Sequence, residues 1–391
     1  MSDPVIGDAL PRIPFVRPHV APDATALVVE SLGSGHLSGD GPFTARARRW
    51  LEARHPGRDA LLVHSGTAAL ELAALLLDLR EGDEVIMPSF TFTSTANAIA
   101  LRGAVPVFVD VDERTLNLDP DAARAAITER TRAIVVVHYA GIAADMDAFA
   151  ALARAHGLAL VEDAAQALGA TWRGQPLGAI GDLGCLSFHA TKNIAAGECG
   201  ALLLPPRFLE RAEIVREKGT DRSRFLRGAV DKYTWRAVGS SYLPADPVAA
   251  LLCGQLEHCD EITNDRRASW WHYHAALEPL EARGVLRRPV VPPEAELNGH
   301  IYFVQCRSQA ARDSLIAALD QAGIQATFHY QPLHESPAGQ RVARVHGSLE
   351  RTERAAHALV RLPLWPGIAP HLPRIVRAVD AWAASQQRRA A

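Results

Sequence analysis

Lysine is scarce in this chain. Of 41 basic residues only three, Lys192, Lys218 and Lys232, are lysines; the rest are arginines. Where only positive charge is needed, arginine serves and stays protonated, whereas a lysine can lose its proton and add to a carbonyl. Lys192 has the context for that chemistry. It lies in Cys185-Leu-Ser-Phe-His-Ala-Thr-Lys192-Asn-Ile-Ala-Ala-Gly-Glu-Cys-Gly200, flanked by short apolar runs, a pattern that reads as strand, exposed polar turn, strand.

Other reactive groups stand where apolar runs end. The run 158–161 leads into Glu162-Asp163-Ala-Ala-Gln166. This suits a carboxylate aimed into a cleft, helix capping being the ordinary alternative. His64-Ser-Gly-Thr67 precedes an apolar helix over 68–79, whose first N–H groups, with the Thr67 hydroxyl, can hold a phosphate. Pro88-Ser-Phe-Thr-Phe-Thr-Ser94 offers an aromatic at Phe90 or Phe92, and Ser187, five residues before Lys192, could also reach a phosphate. A phosphate cradle, a stacking aromatic, an acid, a serine and a lysine together suit pyridoxal phosphate (PLP). The lysine would hold the cofactor aldehyde and the acid would keep the ring nitrogen protonated.

The elements that must position these groups follow one rhythm. Strand patterns at 61–63, from 85, and at 105–109, 133–137 and 158–161 alternate with helical ones at 68–79, 120–127 and 146–156. Such βα alternation predicts an α/β fold with a largely parallel sheet and helices on both faces, binding its ligand at the carboxyl ends of the strands. An irregular arm, a glycine-rich loop over 33–41 and a helix over 43–54 precede it. Pro244 opens a long helical stretch reaching Leu280, and Pro289, Pro292 and Pro293 mark a linker. Strands at 301–305 and 325–328 and helices at 308–322, 349–360 and 371–386 predict a smaller α+β unit. The expected division is 1–245, the arm and large α/β domain, and 246–391, a connecting helix and small C-terminal domain.

Composition narrows the class. At 48% hydrophobic and 22% charged, the 391 residues are those of a globular protein. No run approaches the ~20 apolar residues of a membrane span, and the first residues lack a signal-peptide layout. A net charge of −3 without a basic block argues against nucleic acid as a partner. Five scattered cysteines suggest reduced thiols and a cytoplasmic protein. Cys253 and Cys259 lack a second ligand pair, so no metal site is expected.

At these same residues the chain resembles the DegT/StrS family of nucleotide-sugar aminotransferases, PLP enzymes of fold type I. The matching segments are Ser65-Gly-Thr-Ala-Ala-Leu70, Gly82-Asp-Glu-Val-Ile-Met-Pro88, Val137-His-Tyr-Ala-Gly141, Glu162-Asp-Ala-Ala-Gln166, Ser187-Phe-His-Ala-Thr-Lys192 and His329-Tyr-Gln-Pro-Leu-His334. The resemblance implies a large domain with a mostly parallel mixed sheet and a smaller C-terminal domain. It makes Lys192 the cofactor-bearing catalytic lysine, Asp163 the acid at the ring nitrogen and Gln166 the neighbour of the ring oxygen. Gly66, Thr67 and Ser187 fall on phosphate positions and Phe92 on the stacking aromatic. A sugar-dehydratase branch has histidine at the lysine position; Lys192 sets this chain apart from it.

The segments around 216–227, 230–236 and 239–243 resemble most the branch that aminates C4 of dTDP-4-dehydro-6-deoxyglucose with L-glutamate. That resemblance implies a dTDP-linked keto sugar as acceptor, a homodimer, and Lys232, His329 and His334 as substrate contacts. Arg222, Arg224 and Arg227 form the one local basic cluster, a candidate diphosphate clamp. Ser241 replaces the asparagine with which the wider family reaches a neighbouring subunit's cofactor.

Overall fold

The computed structural model describes residues 11–390; the first ten residues of the predicted arm lie outside them. The seven long strands of the main sheet are β1 (Asp59–Val63), β2 (Glu84–Pro88), β3 (Val105–Val109), β4 (Thr131–Val137), β5 (Ala159–Asp163), β6 (Leu183–Ser187) and β7 (Gly200–Leu204). Their order is β1-β7-β6-β5-β4-β2-β3, with the short strand Arg344–Val345 on the far edge. All neighbours run parallel except β7, which is antiparallel to both β1 and β6. The run from Ala133 to Val137 in β4 is apolar throughout because helices cover both faces of the sheet. One core packs against Phe149 and Leu252, the other against Leu72 and Ala98.

Crossover helices carry the capping residues that the sequence displays. Ser65 caps Gly66–Leu76 by accepting from the Ala68 N–H, and Asp119 caps Pro120–Ala125 from its side chain. Register then aligns the strand ends, placing Val137 opposite Asp163 and Asp163 opposite Cys185. The functional groups at these ends therefore emerge side by side.

The chain after 245 begins with Asp246–Glu257, breaks at His258 and continues as Cys259–Ala276 and Glu278–Ala282. A third hydrophobic core gathers around Trp270, Tyr302, Leu319 and Ile375, beneath the small sheet of Leu286–Arg287, Tyr302–Cys306 and Leu359–Leu362. The strand expected at 325–328 is absent. Only two isolated bridges form there, Ile324 with Ile13 and Thr327 with Arg361. The segment is held by the N-terminal arm, and its alternation serves that crossing. A helix not anticipated, Ala24–Gly33, packs on Asp246–Glu257, where Gly254 admits the backbone of Ala24.

Candidate active site

The carboxyl ends of β1, β2, β4, β5 and β6 open into one cavity of about 560 Å3, closed on another side by Phe15, His300, His329, Tyr330 and Arg361. It gathers Gly66, Thr67, Phe92, Asp163, Gln166, Ser187, Lys192 and His329. Lys232 and His334 do not line it.

Lys192 occupies the turn between β6 and β7, which is folded inward, contrary to the exposed turn expected. Ile194 and Ala196 are buried, the Ala196 N–H donates to the Phe188 carbonyl, and Asn193 donates to the Asn298 carbonyl at 2.9 Å. Asn193 also lies 2.8 Å from the His300 ring. The turn thus presses the amine into the cavity, leaving it half-buried. Burial lowers the Lys192 pKa to about 8; Asp163 pulls the other way, and the Arg361 charge adds to the lowering.

Two adjacent acids on β5 meet opposite surroundings because successive strand residues point to opposite faces. Glu162 faces the core, accepting from the N–H groups of Gly178 (2.7 Å), Ile180 (2.7 Å) and Gly181 (2.6 Å). His138 lies 3.0 Å away through Nε2. The Ala144 N–H donates to His138 Nδ1, so Nε2 bears the proton given to Glu162. Burial opposes the Glu162 charge, but His138 and the backbone donors outweigh it and hold the carboxyl below its usual range. Asp163 faces the cavity with two donors among the described residues, Thr95 Oγ1 at 2.7 Å and the Ala165 N–H at 3.2 Å. There burial wins, and its pKa is raised. A cationic partner in the cavity would complete it.

The expected phosphate cradle presents free donors. Ser65 satisfies the Ala68 N–H at 3.0 Å, while the N–H groups of Gly66 and Thr67 have no partner among the described residues. Gly66 is required by close approach: a Cβ there would lie 2.8 Å from Ser187 Cβ. The Thr67 hydroxyl is 2.6 Å from that of Ser94. Phe92, 58% exposed, faces the cavity, whereas Phe90, 1% exposed, packs edge-on against Tyr139 and Tyr330. Free amide donors at a helix N-terminus, an under-compensated buried acid and a lysine close to its neutral form match PLP group by group.

Gln166 accepts from the Ala140 N–H and donates to Tyr330 Oη at 3.0 Å. His329 stacks on Tyr330, lies 3.3 Å from Tyr139 Oη, and is kept neutral by burial, its pKa pushed down to about 2. His334 is tied to Ser89 (2.8 Å) and Glu353 (3.2 Å). Lys232 stands exposed on the segment 227–236. Arg222, Arg224 and Arg227 are each committed to a carboxylate, of Glu217, Glu210 and Glu213 respectively. Ser241 opens on a separate cleft with Lys218 and Arg222. Sequence reasoning missed Thr95, His300, Tyr330 and Arg361. Thr95 reads as an ordinary helix residue, Tyr330 was passed over beside His329 in the matching segment, and His300 and Arg361 come from distant segments that carry no signal of proximity.

Comparison with known proteins gives the family. The DegT/DnrJ/EryC1/StrS aminotransferase family matches residues 18–380. The dTDP-3-amino-3,4,6-trideoxy-alpha-D-glucose transaminase of Streptomyces venezuelae is 36% identical over 386 residues, 95% of this chain and 97% of the relative. Among solved structures, S. venezuelae DesV in complex with a ketimine intermediate superposes with a TM-score of 0.85 at 34% identity, covering 95% of this chain and 99% of the other. Spr1654 from Streptococcus pneumoniae in its PLP form gives 0.87 at 26% identity, covering 96% and 99%. The chain belongs to the DegT/DnrJ/EryC1/StrS aminotransferase family and is a PLP-dependent sugar aminotransferase.

Proposed function

We propose that this protein transfers the amino group of L-glutamate to the C4 ketone of dTDP-4-dehydro-6-deoxy-D-glucose, giving dTDP-4-amino-4,6-dideoxy-D-galactose and 2-oxoglutarate. The observation that carries the transaminase reading is the half-buried Lys192 amine, with a pKa of about 8, in one cavity with the buried Asp163. The choice of C4 rests on the sequence segments over 216–243.

PLP, when bound, supplies a carbonyl to amines and a ring that takes up the electron pair of a broken C–H bond. The residues around it have separable tasks. The Gly66 and Thr67 N–H groups, with the Thr67 and Ser187 hydroxyls, would hold the phosphate. Asp163 would keep a proton on the ring nitrogen, with Gln166 towards the ring oxygen and Phe92 towards a ring face. Lys192 would bear the cofactor and, as a free amine, take a proton from the donor α-carbon and give one to the sugar carbon. His329, neutral, and the exposed Lys232 remain candidate sugar-nucleotide contacts. The fixed bonds of His334 favour a positioning role.

A second reading places the amine at C3, favoured by the similarity to the S. venezuelae transaminase. Five free, buried cysteines support a cytoplasmic setting. Exposed Phe225, Tyr233, Trp235 and Val238 support a homodimer. The test is to supply L-glutamate with dTDP-4-dehydro-6-deoxyglucose or its 3-keto counterpart and determine the product by NMR. Amine at C4 with the galactose configuration is expected; amine formed only at C3 overturns the regiochemistry.

A further inference from the structure

Asn298 stands behind the Lys192 cavity, between two of the turns that face it. Its side-chain amide donates to the carbonyls of Gln166 (2.8 Å) and Leu168 (2.9 Å), and its Oδ1 accepts the His300 N–H at 3.0 Å. Its own carbonyl accepts from Asn193 Nδ2 at 2.9 Å. That bond fixes the Asn193 amide, so Asn193 Oδ1 is an acceptor and His300 Nδ1, 2.8 Å away, donates to it. Asn193, Asn298 and His300 are all buried, and neither asparagine lines the cavity itself.

The segment that carries Asn298 is held from its other side. The buried Arg266 donates to the carbonyls of Gly299 (3.0 Å) and His300 (2.7 Å), and the Trp270 indole donates to that of Ile301 (2.9 Å). Gly141 makes room for the amide: it is in the left-handed region at φ 77°, and a Cβ there would lie 1.9 Å from Asn298 Oδ1. Truncating Asn298 would strand two carbonyls and an N–H in a buried network, so its place is strongly specified. Among the described residues no hydrogen bond joins the Lys192 turn to Gln166 directly; Asn298 is the link between them.

We propose that Asn298 is a positioning residue for amino transfer, a buried spacer that holds the Lys192 turn and the Gln166 turn in one register. The inference rests on the transaminase reading above and deepens it. Lys192 must move a proton between fixed atoms, and Gln166 lies towards the ring oxygen of the same cofactor. Each sits on its own turn, so their relative placement depends on what ties the turns together. A misplacement of 1 Å at a reacting group can cost ~10²-fold in rate.

The test compares full-length wild type, Asn193→Ala, Asn298→Ala and the double variant; neither substitution adds charge. With PLP bound, the glutamate half-reaction is followed spectroscopically. Each single variant should lose at least ~10-fold in its limiting rate, while half-saturating glutamate stays within about threefold. The double variant should lose about as much as the worse single one, because both cut the same link. In the cofactor-free proteins, PLP capture should level near pH 8 for wild type and keep rising beyond it in both single variants, as a loosened turn lets water reach the amine. A lower melting temperature with an unchanged limiting rate and capture profile marks a merely structural residue and overturns the proposal. Asn193→Ala alone decides this if Asn298→Ala does not fold. A double variant whose loss is the product of the single losses also overturns it. A wild type whose cofactor ignores glutamate refutes the transaminase reading instead, and the capture profiles, which need no donor, still test Asn298.

Discussion

Lys192→Met tests the site without the cofactor's chemistry, because it removes a charge while nearly preserving the side chain's volume. The Lys192 pKa falls from 10.5 to about 8 in the folded protein, chiefly through burial. At 1.36 kcal/mol for each pH unit, holding this ammonium in the cofactor-free protein costs about 3 kcal/mol at pH 7. Because the folded pKa lies below the unfolded one, the unfolded chain binds more protons between about pH 8 and 10.5. Stability from this group must therefore rise across that window. Urea unfolding of cofactor-free wild type and Lys192→Met should show the variant more stable at pH 7 by up to about 3 kcal/mol. The gap should close as pH rises through 8 towards 10.5. The same pKa leaves about one amine in ten neutral at pH 7, against about one in three thousand for an ordinary lysine. PLP capture should accordingly speed up to about pH 8 and then level. A variant no more stable than wild type at pH 7, or a gap that ignores pH, refutes the reasoning.

Three further substitutions probe the supporting structure. Glu162→Ala leaves His138 and three buried N–H groups without their acceptor and should destabilise the protein by about 3–5 kcal/mol in thermal or urea unfolding; a loss below about 1 kcal/mol contradicts that account. Thr95→Val removes the shorter of two hydrogen bonds to Asp163 and should cost about 0.5–1.5 kcal/mol in the same unfolding assays; an unchanged stability would contradict it. Gly66→Ala drives a Cβ to 2.8 Å from Ser187 and should cost about 1–3 kcal/mol by overpacking. Equilibrium titration should find PLP bound at least ~10-fold more weakly; unaltered affinity would remove Gly66 from the cradle.

Groups at strand ends were legible because each is a local event. Ser65 before a helix, Asp163 after an apolar run and Lys192 between two strands are readable from neighbours alone, and the parallel register brings them together. The contrast between Glu162 and Asp163 was not legible. Both acids end the same strand, and only the sheet's two faces assign one to His138 and the other to the cavity. Burial of the Lys192 turn depends on Asn193 meeting Asn298 and His300, more than a hundred residues away. Arg361 was invisible for a different reason: among 41 basic residues, nothing in its neighbours marks it as the arginine that lines the Lys192 cavity. The strand expected at 325–328 failed because a short alternating run serves equally well for isolated bridges.

The most direct measurement is the visible absorbance of the purified, PLP-reconstituted protein before and after addition of L-glutamate, with Lys192→Ala alongside. Wild type should show the band of lysine-held PLP, and glutamate should convert it to the pyridoxamine form with one equivalent of 2-oxoglutarate released per site. Lys192→Ala should show neither the lysine-held band nor catalytic turnover. A wild type that remains colourless with added PLP, or a Lys192→Ala variant that turns over at the wild-type rate, would contradict the central claim.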